Sequence, residues 1–502
     1  MRFRPLLAVL LLLTARLTWS ASWDVAPAIS VGETYTDNVT LAPKDLAVSD
    51  WITQVTPEIS ITGRGANATF NLKYAPELTY YAESKSGNGV YQKGYADLNA
   101  ELAGQTLFID AGANVDQYNV FLTGPITAGN IYLTGNTDTV ATAYVSPYLV
   151  HDFSSHAQAE ARYTASIWNS DEQPQFNSTA NRIDLGLASG PASRDLTWNL
   201  DYRKELIDYD DPLQADLDSD VALAKARQLI TSTIGVLGRV GYEYYKYDDF
   251  RPESNGWGWA VGVDWTPSRR TTLSALAGER FYGNYYKFDF QHRARLLVFS
   301  ANYNQEVTAN RQGFFLPSTT STESYLTGLY SGSIDDPTEV QKQVDAVISE
   351  FNIPPSLNSP VNYYSNQLFL QKSGQVSIAM QGIRNVIIAN IFVLNRDALV
   401  GNVLLPGTFN EENQTRQTGT SLSWNWRMSA KTSLNSYIAY TVNRFPGTGR
   451  VDDLPGASVG VSKQFQPRLL GTLRYRWQAL NSTDAGLDYK ENSIAATLRL
   501  EF

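Results

Sequence analysis

Histidine, serine and aspartate side chains stand close together at one point of this 502-residue sequence, as a hydrolytic site would require. His151 and His156 flank Asp152, Ser154 and Ser155, so a hydroxyl nucleophile and a general base are both present. Aspartate and serine are also turn formers, because their side chains bond to the neighbouring backbone. We interpret the group as a turn between strands and predict that the protein is not an enzyme.

A second group of residues has the chemistry of a metal site. Asp216, Asp218 and Asp220 are spaced like the first ligands of an EF-hand loop. However, Val221 occupies the position that needs glycine, and Arg227 occupies the position that needs glutamate. Cysteine is absent and histidine occurs 3 times, so thiolate and imidazole metal sites are not expected. We predict a solvated acidic loop with no metal and no cofactor; a loose calcium site that bridges lipopolysaccharide is the alternative.

Apolar and polar residues alternate along most of the chain after Trp23, which predicts strands. The remaining polar side chains are therefore expected to lie on strands. The two faces of the last strand are Ile494, Ala496, Leu498, Leu500 and Phe502 on one side, and Ser493, Ala495, Thr497, Arg499 and Glu501 on the other. A strand with this period requires apolar solvent on one side and water on the other. The sequence therefore predicts an all-β, transmembrane, antiparallel up-and-down β-barrel.

The predicted barrel has about 22 strands, a number within the range of bacterial barrels. Short turns are predicted at residues 63–65, 152–155, 190–194, 267–270, 381–385, 428–432 and 466–468. Long connections are predicted between them, at residues 37–49, 118–136, 209–218, 310–362, 396–415 and 443–453. Because the first strand begins on the short-turn side, both chain ends are expected in the periplasm.

The start of the chain predicts the compartment. Residues 1–22 have the form of a signal peptide, with two arginines before an apolar run and small residues at its end. The barrel, residues 23–502, is expected to follow directly, which leaves no room for the plug domain of a TonB-dependent receptor. The net charge of −10 argues against nucleic acid. We expect a Gram-negative outer membrane, with lipid, lipopolysaccharide and the barrel assembly machinery as partners, and Phe502 as the assembly signal.

Strand parity assigns the charged side chains that face the barrel interior. The acidic ones are Glu58, Glu77, Asp97, Glu101, Asp110, Asp116, Glu160 and Asp264, and the basic ones are Arg162, Arg203, Arg427, Arg474, Arg476 and Arg499. Acids are expected mainly in the early strands and cations in the late strands. Mixed charge with tyrosine and amides suits hydrated sugars, whereas ion pairing across strands is the alternative role.

Seven of the interior residues are the candidate contacts for a transported polymer. They are Arg427, Arg474, Arg476, Arg499, Arg203, Glu101 and Asp110. Arg474, Arg476 and Arg499 form the strongest candidate cluster for an anionic polymer, because guanidinium groups bind carboxylates well.

One segment of the longest connection, residues 309–362, has helical periodicity instead of alternation. Within residues 337–351 the apolar positions include Val340, Val344, Val347 and Phe351, which are three or four residues apart. We predict that these four side chains pack a short helix against the inner wall as a plug. A solvated surface loop is the alternative.

Three stretches carry a resemblance to a known family: residues 32–43 (GETYTDNVTLAP), 270–286 and 353–373 (IPPSLNSPVNYYSNQLFLQKS). Over almost the whole mature chain, the sequence resembles the PEP-CTERM/exosortase system-associated outer-membrane β-barrel family, which comprises porin-like barrels of exopolysaccharide loci. The resemblance implies a role in exopolysaccharide export or surface assembly, with the polymer and periplasmic export proteins as partners. It carries over no catalytic residue. A general diffusion porin for small solutes and a structural or adhesive surface barrel are the alternative functions.

Overall fold

The computed structural model describes residues 22–127, 129–249, 252–309, 311, 326–327, 340, 344, 364–365, 367–399, 413–484 and 486–502. Apart from Ser22, the predicted signal peptide lies outside these residues. Within the described ranges, none of the helices has the length and apolar character needed to cross a membrane. Short 3-10 turns occur at Lys44–Leu46, Lys85–Gly87 and Pro174–Phe176.

The described residues form 24 strand segments. The first twelve are β1 (Ser22–Thr36), β2 (Asp50–Arg64), β3 (Ala68–Tyr74), β4 (Glu77–Tyr81), β5 (Gly89–Tyr91), β6 (Gly94–Ala103), β7 (Leu107–Asn119), β8 (Thr137–Phe153), β9 (Ala157–Ser170), β10 (Ser178–Ser189), β11 (Leu196–Tyr209) and β12 (Leu217–Leu229). The others are β13 (Ile234–Tyr247), β14 (Ser254–Ser268), β15 (Thr271–Arg280), β16 (Gly283–Arg293), β17 (Leu297–Ala309), β18 (Leu368–Gln381), β19 (Asn385–Ala398), β20 (Gln414–Ser429), β21 (Thr432–Phe445), β22 (Arg450–Gln466), β23 (Leu469–Ser482) and β24 (Tyr489–Glu501).

These segments close into one antiparallel barrel. Strand β1 pairs with β2 on one side and with β24 on the other, so the sheet has no free edge. Segments β3 and β4 both pair with β2, so together they form one interrupted barrel strand. Segment β6 pairs with β3 and β5 pairs with β4, so β5 and β6 form the next interrupted barrel strand. Counted as barrel strands, the 24 segments make 22 strands, and the predicted fold class is confirmed.

The two rims of the barrel differ in their connections. At the rim that we call the short-turn rim, β1 begins, β24 ends and tight turns join strands such as β14 to β15 and β20 to β21. The opposite rim, the long-loop rim, carries the long connections that follow β1, β7, β17 and β19.

The long connection predicted at residues 443–453 is wrong. Strand β21 continues to Phe445 and β22 begins at Arg450, so a tight turn joins them. The N–H groups of Thr448 and Gly449 donate to the Phe445 carbonyl oxygen at 3.2 and 2.8 Å. Gly449 adopts a φ of 77°, a left-handed conformation that glycine reaches without a steric penalty.

The outer face of the barrel exposes a belt of apolar side chains. In β14, Trp257, Trp259, Val261, Val263 and Trp265 alternate with inward residues and are 39–72% exposed. Strands β13 and β24 expose valine, isoleucine and leucine in the same way. Contact between water and so much apolar surface is unfavourable, so this face suits the hydrocarbon of a bilayer.

The inner face carries basic side chains in early as well as late strands. Arg162, Arg182, Arg203, Arg239 and Arg280 lie on strands β9 to β15, among the acidic residues. The predicted separation of early acids from late cations is therefore wrong. Neighbouring strands bring opposite charges together across the sheet, which cannot be seen by reading each strand separately.

Candidate functional site: the barrel lumen

Ion pairs cover the inner face of strands β7 to β15, which we call the ion-paired wall. Its pairs are Arg162 with Asp110 and Glu160, Arg182 and Arg203 with Asp184, Lys225 with Asp201, Arg227 with Asp264, and Arg280 with Glu243. In each pair a nitrogen and an oxygen lie 2.6–2.9 Å apart. Because positive and negative groups neutralise each other, this wall offers a rigid polar surface and no strong field of one sign.

The most buried of these pairs joins Arg280 to Glu243, whose side chains are 8% and 6% exposed. The Tyr245 hydroxyl donates to Glu243 Oε2 at 3.1 Å. The Arg280 guanidinium also lies 4.8 Å from the centre of the Tyr282 ring. Such a pair depends on both partners, since either charge alone would be buried without compensation.

The inner face of strands β20 to β22, which we call the amide wall, has no charged side chain between its rims. Its inward residues include Ser421, Ser423, Asn425, Asn435, Tyr437, Asn443, Ser458 and Ser462, together with Gly456 and Gly460. Several polar atoms here are buried without a hydrogen-bond partner among the described residues: Ser421 Oγ, Asn425 Oδ1 and both amide atoms of Asn435 and of Asn443. Each unpaired group costs about 1–3 kcal/mol, so the amide wall has unused hydrogen-bonding capacity.

The inner face of strand β19 is mainly apolar, with Asn390 at its centre. Val386, Ile388, Phe392 and Leu394 point inward and are at most 3% exposed, so they are covered from the lumen side. Within the segment between β17 and β18, the described residues include Val340 and Val344, which are helical and also at most 3% exposed. Val340 and Val344 are therefore shielded from water, as the predicted plug requires. Val347 and Phe351 lie outside the described residues.

The loop between β7 and β8 folds inward at the long-loop rim. The hydroxyl of Tyr132 contacts the guanidinium of Arg476 on the inner face of β23. Arg450 Nη2 donates to the Thr123 carbonyl oxygen at 2.8 Å. Ile131 and Tyr132 also join an apolar cluster with Val39, Leu41, Ile52, Tyr81, Leu480 and Tyr489. This loop therefore covers the part of the lumen next to β1, β2 and β21–β24.

Arg311, just after β17, anchors the next long connection to strands that are not neighbours of β17. Its Nε donates to Ser178 Oγ at 2.9 Å, and its Nη2 donates to the Ser166 carbonyl oxygen at 3.2 Å. These serines lie on β10 and β9, so the chain reaches them through the lumen. Burial lowers the pKa of Arg311 to about 10, so its guanidinium remains charged at neutral pH.

Tyr364, just before β18, anchors the other end of the same connection. Its ring packs edge-on against Trp168 and Phe176, with centroids 5.2 and 5.7 Å away. Its hydroxyl donates to Asp138 Oδ2 at 3.2 Å, and burial raises the pKa of this hydroxyl, which keeps it protonated. The Tyr364 N–H donates to the Val120 carbonyl oxygen at 3.0 Å and so joins the two inward loops. We call Arg311, Tyr364, residues 120–127 and residues 129–133 the cap.

Three of the predicted polymer contacts have structural partners on the early strands. Asp110 and Arg203 belong to the ion-paired wall. Glu101 accepts a hydrogen bond from the Gln105 N–H at 2.7 Å and thereby stabilises the turn between β6 and β7. All three face inward, as strand parity predicts.

The late arginine cluster is divided among different partners. Arg499 makes two contacts of 2.8 Å to the Glu58 carboxylate. Arg476 lies 3.9 Å from Glu491 and contacts Tyr132, and Arg427 Nη2 donates to the Ile383 carbonyl oxygen at 3.1 Å. Arg474 is exposed to the lumen, and no carboxylate in the described part of the chain lies within ion-pair distance of it.

The remaining candidate residues have ordinary structural surroundings. Lys204 Nζ lies 3.0 Å from both Asp218 Oδ1 and Asp220 Oδ2, so an ammonium neutralises the carboxylates that resemble calcium ligands. Across the ranges that the structure describes, no cluster of three or more metal-ligating side chains is found. Phe502 is 63% exposed and its N–H donates to the Pro27 carbonyl oxygen at 3.0 Å; its role in assembly stays a prediction.

Sequence reasoning missed Arg311, Tyr364, Asn425 and Asn435. The two asparagines had a usable signal, because both have inward parity: Asn425 lies between the outward residues Trp424 and Trp426, and Asn435 follows the outward residue Leu434. Arg311 and Tyr364 had none, since their partners on β8 to β10 are more than a hundred residues away.

Comparisons with known proteins add a likeness of fold. No family model and no curated protein matches the sequence. Among solved structures, the siderophore receptor PirA from Pseudomonas aeruginosa is 11% identical with a TM-score of 0.45, over 95% of this chain and 80% of that one. A mutant ferric enterobactin receptor, PfeA, from the same organism is 8% identical with a TM-score of 0.47, over 96% and 81%. OpdK from Pseudomonas aeruginosa, solved with vanillate, is 10% identical with a TM-score of 0.35, over 95% and 99%. Likenesses this remote carry no argument about what the chain binds.

Proposed function

We propose that this protein is a conduit of the Gram-negative outer membrane that takes part in the export or surface assembly of an exopolysaccharide. The observation that best supports a conduit with controlled passage is the anchoring of Arg311 and Tyr364 to β8–β10. Through these two residues, both ends of the connection between β17 and β18 reach into a barrel that would otherwise be wide, since barrels of 16 to 18 strands already enclose an aqueous channel.

The membrane setting is supported by the outer belt of apolar side chains around β13, β14 and β24. Such a belt is stable against outer-membrane lipid, and lipopolysaccharide is the expected partner at the long-loop rim. The barrel assembly machinery and periplasmic export proteins are the expected protein partners.

A sugar cargo is supported by the chemistry of the inner face. Hydroxyl-rich polymers need many hydrogen bonds of moderate strength, which serine, asparagine and tyrosine on the amide wall can supply. The ion-paired wall holds its charges in pairs and would let hydrated sugars slide past without strong trapping. The specific role with an exopolysaccharide comes from the sequence resemblance.

The segment containing Val340 and Val344 is proposed as the movable plug. Val340 and Val344 are buried, so movement of the plug would cost roughly 25 cal/mol per Å² of apolar surface that becomes exposed. Arg311 and Tyr364 then set how firmly the closed form is held.

The first test follows the polymer in a strain that lacks this chain. We expect less polysaccharide at the cell surface and more in the periplasm, with both restored by the wild-type protein. Unchanged surface polymer would refute the export role. In that case, the uptake of small sugars separates the two alternatives. Lower uptake in the deletion strain would identify a general diffusion porin, and unchanged uptake would leave a structural or adhesive barrel.

A second test loosens the cap in planar bilayers. The double change Arg311→Ala and Tyr364→Phe removes the hydrogen bonds to Ser178, Ser166 and Asp138 while keeping the aromatic ring. Loss of a charged hydrogen bond shifts a two-state equilibrium about tenfold or more, so we expect a larger open fraction of the channel. Arg227→Gln is the control, because it removes an inner-face guanidinium near the end of β12 at the short-turn rim, away from the cap. Conductance equal to that of the wild type in both variants would refute the cap as the restriction.

A further inference from the structure

Two adjoining cavities follow the inner face of the last strands, starting at the short-turn rim. The outer cavity, of about 390 Å³, lies at the turns that join β20 to β21 and β22 to β23. The deeper cavity, of about 200 Å³, lies on β1, β23 and β24. Leu470 and Arg499 line both cavities, so the two form one path into the lumen. The basic residues of this path, which we call the basic track, are Arg427, Lys431, Arg468, Arg474 and Arg499.

Arg474 extends the basic track well into the barrel. It lies five residues beyond Leu469, the first residue of β23, and so about 17 Å from the rim. Its partners across the sheet are Gly460 on β22 and Ala495 on β24. Both partners are too small to cover a long side chain, and Arg474 is exposed to the lumen.

The basic track has a surplus of positive charge. Among the described residues, Glu501 is the only carboxylate that lines either cavity. It lies 3.2 Å from Arg499, and the same guanidinium binds Glu58. The cations with no carboxylate within ion-pair distance in the described part of the chain are Lys431, Arg468 and Arg474. A path with such a surplus attracts anions and repels cations.

The ion-paired wall, by contrast, has a cavity whose charges balance. This cavity has a volume of about 660 Å³. Its carboxylates belong to Glu160, Asp184, Asp201, Glu243 and Glu306, and its cations belong to Arg203, Lys225, Arg239, Arg280 and Lys287. The surplus of positive charge is therefore a property of the basic track and is not shared by the wall of β9–β17.

The deeper cavity also carries hydroxyl groups that a ligand can reach. Ser30, Thr472 and Thr497 line it and are partly exposed. A hydroxyl can donate and accept a hydrogen bond, as the hydroxyl of a sugar can. A carboxylate in the same cavity would meet the guanidinium of Arg474, which can bind it through two parallel hydrogen bonds. The cavity therefore combines groups for the two polar functions of an acidic sugar.

We propose that the basic track is an entry site for an acidic polysaccharide, with carboxylated sugar units bound along it from the short-turn rim to Arg474. This inference rests on the proposed conduit function and names the chemical class of the cargo. An acidic segment of a periplasmic protein is the other polyanion that could bind at the rim. The depth of Arg474 and the hydroxyls beside it favour a sugar polymer.

The test measures binding of three matched hexamers to the full-length protein in detergent micelles by titration calorimetry. Hexagalacturonate carries carboxylates on sugars, maltohexaose is the neutral sugar, and hexaglutamate carries carboxylates on a peptide. We expect hexagalacturonate to bind about tenfold or more tightly than maltohexaose, the effect of at least one charge-assisted hydrogen bond. It should also bind about threefold more tightly than hexaglutamate, because only the sugar has hydroxyls for Ser30, Thr472 and Thr497.

Three variants locate the binding. Arg474→Gln should weaken hexagalacturonate about tenfold and leave maltohexaose unchanged. The double change Lys431→Gln and Arg468→Gln removes two exposed charges at the rim and should weaken hexagalacturonate about threefold, because water screens them. Lys225→Gln is the control, since it removes a positive charge from the balanced cavity and should keep the preference for hexagalacturonate.

Equal binding of hexagalacturonate and maltohexaose by the wild type would overturn the proposal, and so would an Arg474→Gln protein that binds hexagalacturonate as the wild type does. Hexaglutamate that binds as tightly as hexagalacturonate would overturn the sugar in favour of an acidic protein segment. Heat-dependent migration on gels checks folding. If Arg474→Gln does not fold, the double rim variant decides, and its unchanged affinity would refute the track. Normal export by the deletion strain refutes the conduit function separately, whatever the calorimeter shows.

Discussion

The ion-paired wall and the amide wall face the same lumen but satisfy their polar groups in different ways. On the ion-paired wall, the carboxylates of Asp110, Asp184 and Glu243 each bind one or more guanidinium groups. On the amide wall, Asn435 and Asn443 are buried with no hydrogen-bond partner for either amide atom. The first arrangement stabilises the protein, and the second costs stability.

The difference lies in how far each wall pairs its polar groups within the fold. A polar group that serves the fold is paired within the fold, because an unpaired one is unfavourable. Groups left unpaired beside a polar lumen are favourable only when another molecule supplies the partner. By this criterion the ion-paired wall satisfies its polar groups within the fold, whereas the amide wall does not.

The largest expected effect is on the ion-paired wall. Glu243→Gln keeps the side-chain shape but leaves Arg280 buried beside a neutral partner. We expect a loss of about 3 kcal/mol in the free energy of unfolding, as for removal of one member of a buried pair. Urea unfolding in detergent micelles measures it. Glu501→Gln is the control, because Glu501 is 61% exposed and should change stability little. A loss for Glu243→Gln no larger than that of the control would contradict the distinction between the walls.

A smaller effect of opposite sign is expected on the amide wall. Asn443 is 1% exposed and both of its amide atoms lack partners. Replacement by leucine, of similar size, should leave the free energy of unfolding unchanged or raise it by about 1 kcal/mol.

The matched comparison for Asn443 is Asn390 on β19. Asn390 Oδ1 accepts hydrogen bonds from Gln375 Nε2 and Ser377 Oγ, both at 2.8 Å. Asn390→Leu leaves these two donors without that acceptor and should lower the free energy of unfolding by about 1–3 kcal/mol. Equal losses for the two asparagines would show that Asn443 has a partner in solution.

The smallest effect is expected for the most exposed pair of the ion-paired wall. Lys225 and Asp201 lie 2.9 Å apart, with side chains that are 51% and 38% exposed. Water screens such a pair, so a double-mutant cycle should give a coupling energy of about 0.5 kcal/mol or less, decreasing with salt. A coupling energy as large as that expected for Glu243 and Arg280 would show that water does not screen the pair of Lys225 and Asp201.

Much of the fold could be predicted from local patterns, and the reason is geometric. Alternation with a period of two assigns each residue to the inner or outer face without knowledge of any other strand. It therefore placed Trp257, Asp110 and Arg474 on the faces where the structure has them. At Gly449 the sequence predicted a long connection, whereas the structure has a tight turn. The polar residues on both sides of this turn belong to β21 and β22 and not to a loop.

What the sequence by itself determined is a barrel of about 22 strands with an apolar outer surface and a polar, mixed-charge lumen. Only the tertiary structure decided which inward charges meet: Arg499 binds Glu58 from the other end of the chain, while Arg474 remains without an acid among the described residues. The tertiary structure alone also brought Arg311 and Tyr364 to β8–β10. The physical reason is that strand periodicity is a local property of the backbone, whereas ion pairing and loop docking depend on which surfaces barrel closure brings together.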